Sequence, residues 1–166
     1  TVPASWDSLD RFRARFRDLG LDPVVIGAFA ALQYRLTQRE TTDIDFLVAR
    51  LLDVVEVMEA DGYSVTAMAE PGEEPYVVYI RGADVSVDLL VAETDYQREA
   101  MRRAVDGVLT VEDVIVHKLI AWRPRDRDDI ASILAAGHEL DASYIERWAA
   151  SWEVAERWSE ARSWVP

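Results

Sequence analysis

Asp43 and Asp45 stand one residue apart, with apolar Ile44, Phe46, Leu47 and Val48 between and after them. Such a run reads as a short buried strand. Successive side chains of a strand point to opposite faces, so the two aspartates share a face, Cα atoms roughly 6.5–7 Å apart, while Ile44 and Phe46 face the core. Carboxylates held side by side repel each other, and a hard divalent cation with oxygen ligands supplies the counter-charge. A third acid has the same character. Over residues 84–91, Val85, Val87 and Leu89 alternate with Asp84, Ser86 and Asp88. If this strand neighbours that of Asp45, about 4.8 Å away, Asp88 completes a carboxylate triad; Asp84 reads as a turn residue. The plainer alternative is a pair that caps a loop and an exposed strand aspartate.

The surrounding pattern predicts the elements that would hold these groups. Residues 5–19 form an amphipathic helix with Trp6, Leu9, Phe12, Phe16 and Leu19 on one stripe and Gly20 at its end. Its Arg11, Arg13, Arg15 and Arg17 are either a solvated face or a grip on a long anionic substrate. Val24, Val25 and Ile26 make a first strand, and Gly27 turns the chain into a helix over about 29–36. The free backbone N–H groups at that start suit a phosphate, which Arg35 or Arg39 can also reach. A helix over about 52–61, a strand over 63–67, a loop over 70–75 and a hairpin of strands 76–81 and 84–91 follow. Thr94 with Gln97 has the form of a capping box opening a helix over 95–104. Further helices are expected over 111–122, from about 125 to 136, and as one or two over 142–164. Trp148, Trp152, Ala155 and Trp158 form a helical stripe there, more often core or interface than a base-stacking platform.

The order of a strand, a Gly27-Ala28 turn, a helix and an Asp-x-Asp strand resembles the nucleotidyltransferase superfamily. Its particular form here looks like the AbiEii-type branch, which includes toxins of toxin–antitoxin pairs. That branch typically carries a lysine on one helix and an Arg-Asp-x-x-Asp run opening the next, matched by Lys118, Arg125, Asp126 and Asp129. The resemblance implies an α/β (α+β) fold: a mixed β-sheet flanked by helices, with a helical C-terminal part. It implies that Asp43, Asp45 and Asp88 hold two Mg²⁺ ions, with Mn²⁺ an alternative. It also implies that Gly27, Ala28, Lys118 and Arg125 hold the nucleotide, to which Arg39 of the polar loop is added as a residue that can reach phosphate. A lysine beside a triphosphate neutralises charge on the leaving group. Asp126 or Asp129 can orient that lysine, or take a proton from an attacking hydroxyl. The alternative is a snorkelling lysine and surface ion pairs. Position 28 is Ala, where many active members have Gly or Ser, so the turn offers no hydroxyl.

Composition narrows the reading. The 166 residues suit one domain, a sheet-containing part over about 1–109 and a helical part over about 110–166, and half the residues are hydrophobic. The absence of cysteine excludes disulfides and zinc thiolates, and two histidines are too few for a zinc site. No run approaches a membrane span and no signal-peptide pattern opens the chain, so the expected compartment is the cytoplasm. A formal net charge of −13 argues against loose binding to nucleic acid. Lys118 is the only lysine among 18 basic residues, which reflects either codon bias toward arginine or a position that needs a point charge rather than a planar fork.

The resemblance implies a nucleotidyltransferase that moves an NMP from an NTP to a hydroxyl. Acceptors within the resembling branch include the tRNA 3′ end, so RNA is the first acceptor expected. A small hydroxylated molecule such as an antibiotic, or a protein side chain, is the second. A toxin held by an antitoxin partner is a further setting. The competing reading is a binding module that takes a nucleotide or a protein without turnover, with the tryptophan stripe as its docking surface.

Overall fold

The structure is a computed structural model and describes residues 3–165. In chain order its elements are α1 (Trp6–Asp18), β1 (Val24–Ile26), α2 (Gly27–Leu32), β2 (Ile44–Val48), α3 (Val54–Ala60), β3 (Ser64–Met68), β4 (Val77–Arg81) and β5 (Ser86–Val91). Five helices complete the chain: α4 (Asp95–Arg103), α5 (Val111–Ala121), α6 (Pro124–Ala135), α7 (Ala142–Ser151) and α8 (Ala155–Arg162). The strands make one five-stranded sheet in the order β1-β2-β5-β4-β3. Only the β2–β5 pair is parallel; the others are antiparallel, so the sheet is mixed, as expected.

Period-two alternation decides what each face of the central strands does. Ile44, Phe46 and Val48 of β2 are fully buried, as are Val87 and Leu89 of β5. Phe16 of α1 meets Phe46 edge-on, ring centroids 5.5 Å apart, so α1 lies on the face opposite Asp45. The arginine row of α1 is therefore on the far side of the sheet from the carboxylates. Arg15 there forms a two-pronged ion pair with Asp61 just past α3. The alternative of a solvated face, rather than a substrate grip, fits that placement.

Local signals set the helix ends. Thr94 and Gln97 form the expected capping box at α4, and Pro124 opens α6 at its first turn, where its missing N–H costs nothing. The helix expected over 29–36 is shorter and earlier. It starts at Gly27 and stops at Leu32, after which the Leu36 N–H donates to the Ser132 carbonyl of α6. The C-terminal run is two helices, and one apolar cluster extends from Leu9 to Ala161, joining the sheet to them. The tryptophans do not share one docking face. Trp158 is buried, Trp148 packs on Tyr96, and Trp164 stacks on Trp122. Among the described residues no helix is long and apolar enough to cross a membrane.

Candidate active site

Parallel pairing sets Asp45 of β2 in register with Asp88 of β5, and the next same-face pair is Leu47 with Leu90. Asp43, one residue before β2, receives a 3.0 Å hydrogen bond from the Ser86 hydroxyl at the start of β5. All three aspartates line one cavity of about 430 Å³ between the sheet and α5. Burial, then the charges of Asp88 and Asp43, push the Asp45 carboxyl up to about 6, against the pull of Lys118 and Arg125. A buried carboxylate with like charges beside it is a site short of positive charge.

Gly27 explains how the turn meets this group. Ile26 pairs with Asp45 across β1 and β2, and the chain then swings over the carboxylate with Gly27 at φ +64°. A Cβ on Gly27 would collide with the Asp45 carboxylate, its Cγ 3.0 Å away. Gly27→Ala is thus expected to cost stability by about 1–2 kcal/mol, from the left-handed φ and the displaced Asp45. Loss of activity is expected to exceed what that destabilisation explains, checked by denaturant melts beside turnover. Gly27 and Ala28 border a narrow cleft of about 50 Å³ that Arg39, Lys118, Arg123 and Arg125 also line. The helix start, with no side-chain cap at Ile26, opens into this cationic space.

Behind the cleft is a buried ion network. Lys118 on α5 donates to Asp126 at 3.1 Å and approaches Asp129 at 2.9 Å, both carboxylates of α6 being fully buried. Asp129 also takes Arg35 at 2.6 Å and Arg39 at 2.9 Å. Asp126 takes the Arg123 backbone N–H at 3.0 Å and its guanidinium at 2.7 Å. Burial raises the Asp129 carboxyl, but the hydrogen bonds from Arg39 and Lys118 outweigh it and hold the group at about 2. Burial likewise raises Asp126, and Arg123 and Lys118 together bring it below the usual range. Carboxylates so held are poor proton acceptors, so of the two roles expected for Asp126 and Asp129 the geometry favours orienting Lys118.

The cations divide accordingly. Arg35, expected near phosphate, is buried and committed to Asp128 and Asp129. Arg39 borders the narrow cleft while clamped to Asp129. Arg125 is exposed, lines both cavities and makes no ion pair or hydrogen bond among the described residues. Sequence reasoning missed Arg123, which the Asp126 contact draws in, and the aromatic wall of Tyr96, His117 and Trp152. Burial pushes the His117 imidazole down to about 4, so it is neutral at pH 7. The tryptophan stripe marks Trp152 as core or interface but not as part of this wall, since it stands just past α7, more than 100 residues after the Asp-x-Asp pair.

Among the described residues no three His, Cys, Asp or Glu side chains converge as a ready metal cluster. Arg81 of β4 binds the Asp88 Oδ1 at 2.8 Å. The donor set still fits a hard divalent cation: oxygen-only ligands, one of them largely buried and destabilised as an anion by its neighbours. The Arg81–Asp88 pair is half-exposed, and such pairs are worth roughly 0–1 kcal/mol, little resistance to a divalent ion.

Comparison with known proteins agrees with this architecture. No curated protein matches the chain. A structure from H. pylori, provisionally described as a nucleotidyltransferase, is similar over 92% of this chain and 84% of its own, at 17% identity and TM-score 0.53. The lincomycin-bound lincosamide antibiotic adenylyltransferase LnuA matches 54% of this chain and 56% of its own, at 17% identity and TM-score 0.44. The family described as "nucleotidyltransferase of unknown function (DUF6036)" matches residues 13–164. With most of its length inside that match, the chain belongs to this nucleotidyltransferase family.

Proposed function

We propose that the protein transfers a nucleoside monophosphate from an NTP to a hydroxyl, with divalent metal as cofactor. The observation that carries this reading is the register of Asp45 with Asp88, with Asp43 beside them, at the mouth of a cationic cleft. Asp43, Asp45 and Asp88 would hold Mg²⁺ or Mn²⁺, as two ions in this reading. Bound there, the metal supplies charge compensation for the phosphates and acidifies the acceptor hydroxyl. The chain's own groups do the rest. Gly27 and Ala28 offer backbone N–H groups to the β- and γ-phosphates, and Arg125, Arg39 and Lys118 offset their charge. Asp126 and Asp129 hold Lys118 in place. The acceptor oxygen attacks the α-phosphorus in line, the bond to the bridging oxygen breaks, pyrophosphate leaves, and the hydroxyl proton is released.

Of the two acceptors, a small hydroxylated molecule is favoured over an RNA 3′ end. The arginines of α1 lie on the sheet's other face, and the net charge is −13. Polyanion binding needs basic surface beside the site. The AbiEii-type toxin and its antitoxin rest on the sequence resemblance alone.

The test is incubation with each labelled NTP, Mg²⁺ or Mn²⁺, and either total RNA or a panel of small hydroxylated compounds. Metal-dependent label in the small-molecule fraction is the expected result. Label in RNA would reverse the choice of acceptor, and nucleotide binding with no label anywhere would favour the binding module.

A further inference from the structure

The cavity has two chemically different ends. At one lie Gly27, Lys118, Arg123 and Arg125, shared with the narrow cationic cleft. At the other the floor is Leu47 and Leu90, the same-face residues next along β2 and β5 after Asp45 and Asp88. Above that floor stand Tyr96, His117, Ile120 and Trp152. Tyr96 is 2% exposed and forms the back, its ring centroid 5.6 Å from His117 and 6.3 Å from Trp152, both edge-on. Trp152 is 38% exposed at the rim, a large apolar surface left open beside a polar site. Gln97 is the one side-chain amide on this wall. Its Oε1 accepts from the backbone N–H of Glu93 and Thr94, which leaves the Nε2 as its free end, with no hydrogen bond among the described residues.

In-line displacement assigns the two ends and the flank. The leaving pyrophosphate belongs with the cations on the Gly27 side, next to Asp45. The attacking oxygen must then approach from the opposite side, across Asp88, where β4 and a groove with Tyr76, Tyr79 and Glu93 lie. The direction left for the group carried on the α-phosphate is over Leu47 and Leu90, toward the aromatic wall. That wall has no cation and no carboxylate, and its aromatic side chains suit an uncharged planar ring.

We infer that the chamber over Leu47 and Leu90 takes the nucleobase of the NTP, stacked on Trp152, with Gln97 Nε2 donating to the ring edge. This rests on the nucleotidyl-transfer reading above. Stacking on an aromatic face is tolerant of base identity, and a lone fixed donor discriminates weakly.

Calorimetry separates the parts, using Mg²⁺ complexes of an α,β-non-hydrolysable ATP analogue and of inorganic tripolyphosphate. Trp152→Ala is expected to weaken the analogue by about tenfold or more while tripolyphosphate changes by less than about twofold. Trp152→Phe, which keeps a ring, is expected to restore most of the affinity. An unchanged analogue affinity in Trp152→Ala would overturn the inference and hand the wall to the acceptor. An equal loss for tripolyphosphate would also overturn it, marking Trp152 as structural support. If the unaltered protein binds neither probe, the transfer reading itself falls, and the inference with it.

Discussion

Asp45→Asn is expected to abolish nucleotidyl transfer, by about a thousandfold or more, and to make the protein more stable. Both effects come from one cause. Burial and the charges of Asp88 and Asp43 raise the Asp45 carboxyl to about 6. Its unfolded value is roughly 3.9, so the ionised group disfavours the folded state by about 2–3 kcal/mol above pH 6. The sign follows directly. Between pH 4 and 6 the folded chain binds more protons at this group than the unfolded chain does. Stability from Asp45 therefore rises as pH falls through that window, and falls as pH rises through it. Asn removes the charge and keeps the shape. The melting temperature at pH 7 should rise by several degrees, and the variant's stability should no longer carry this dependence between pH 4 and 6. Activity needs the anion, because an amide cannot compensate a divalent cation as a carboxylate does. Added Mg²⁺ should raise the melting temperature of the unaltered protein and leave that of Asp45→Asn nearly unchanged. Calorimetric melts with and without Mg²⁺, alongside labelled-NTP turnover, check all of this. A variant that is destabilised at pH 7, or still active, would contradict it.

Asp129→Ala is expected to have the largest effect on folding, a loss of about 3–5 kcal/mol. The carboxylate is fully buried and meets Lys118, Arg35 and Arg39, with the Lys118 and Arg35 side chains 8% and 5% exposed. Removing it leaves these cations facing one another in a nearly dry space. Lys118 keeps Asp126 at 3.1 Å, which places the loss toward the lower end of the range. The pH dependence has the opposite sign to that of Asp45. The Asp129 carboxyl is held at about 2, below its unfolded value. Its stabilisation is present above about pH 4 and disappears as pH falls toward 2. In urea melts from pH 7 down to 2, the gap between Asp129→Ala and the unaltered protein should narrow steadily. A gap that stays constant with pH would show that the cost comes from packing rather than charge. Activity should fall beyond the change in folded fraction, because Lys118 loses one of the two groups that aim it at the cleft.

Two neighbouring sets of buried charge behave in opposite ways. The network around Lys118 is electrically satisfied and rigid, whereas the Asp45 group is left deficient in positive charge. The proposed cation and polyphosphate would use such a division: a fixed scaffold beside an unmet demand.

The strand pattern around Asp45 was readable because a period of two assigns each residue to a face from its immediate neighbours alone. Ile44 and Phe46 went to the core and the aspartates to the other side for that reason. Val87, Asp88 and Leu89 followed the same rule. The cap at Thr94, the proline at the start of α6 and the glycine at the head of α2 are also local, each set by a few adjacent residues. The sequence by itself therefore determined most of the elements, the face on which each aspartate stands, and, through the order of motifs, the nucleotidyltransferase superfamily, though neither the branch nor the bounds of α2. Only the tertiary structure decided which strand lies beside which, and so that Asp88 meets Asp45 rather than solvent. It alone assigned the arginines: Arg15 to Asp61, Arg35 and Arg39 to Asp129, Arg81 to Asp88, with Arg125 left over the cleft. Long flexible guanidinium side chains carry no period that reveals a partner, and their pairing depends on which carboxylate the packed chain brings within reach. Trp152 belongs with them: its stripe marks an interface, but its place at the rim of this cavity follows from the docking of α7 on α5.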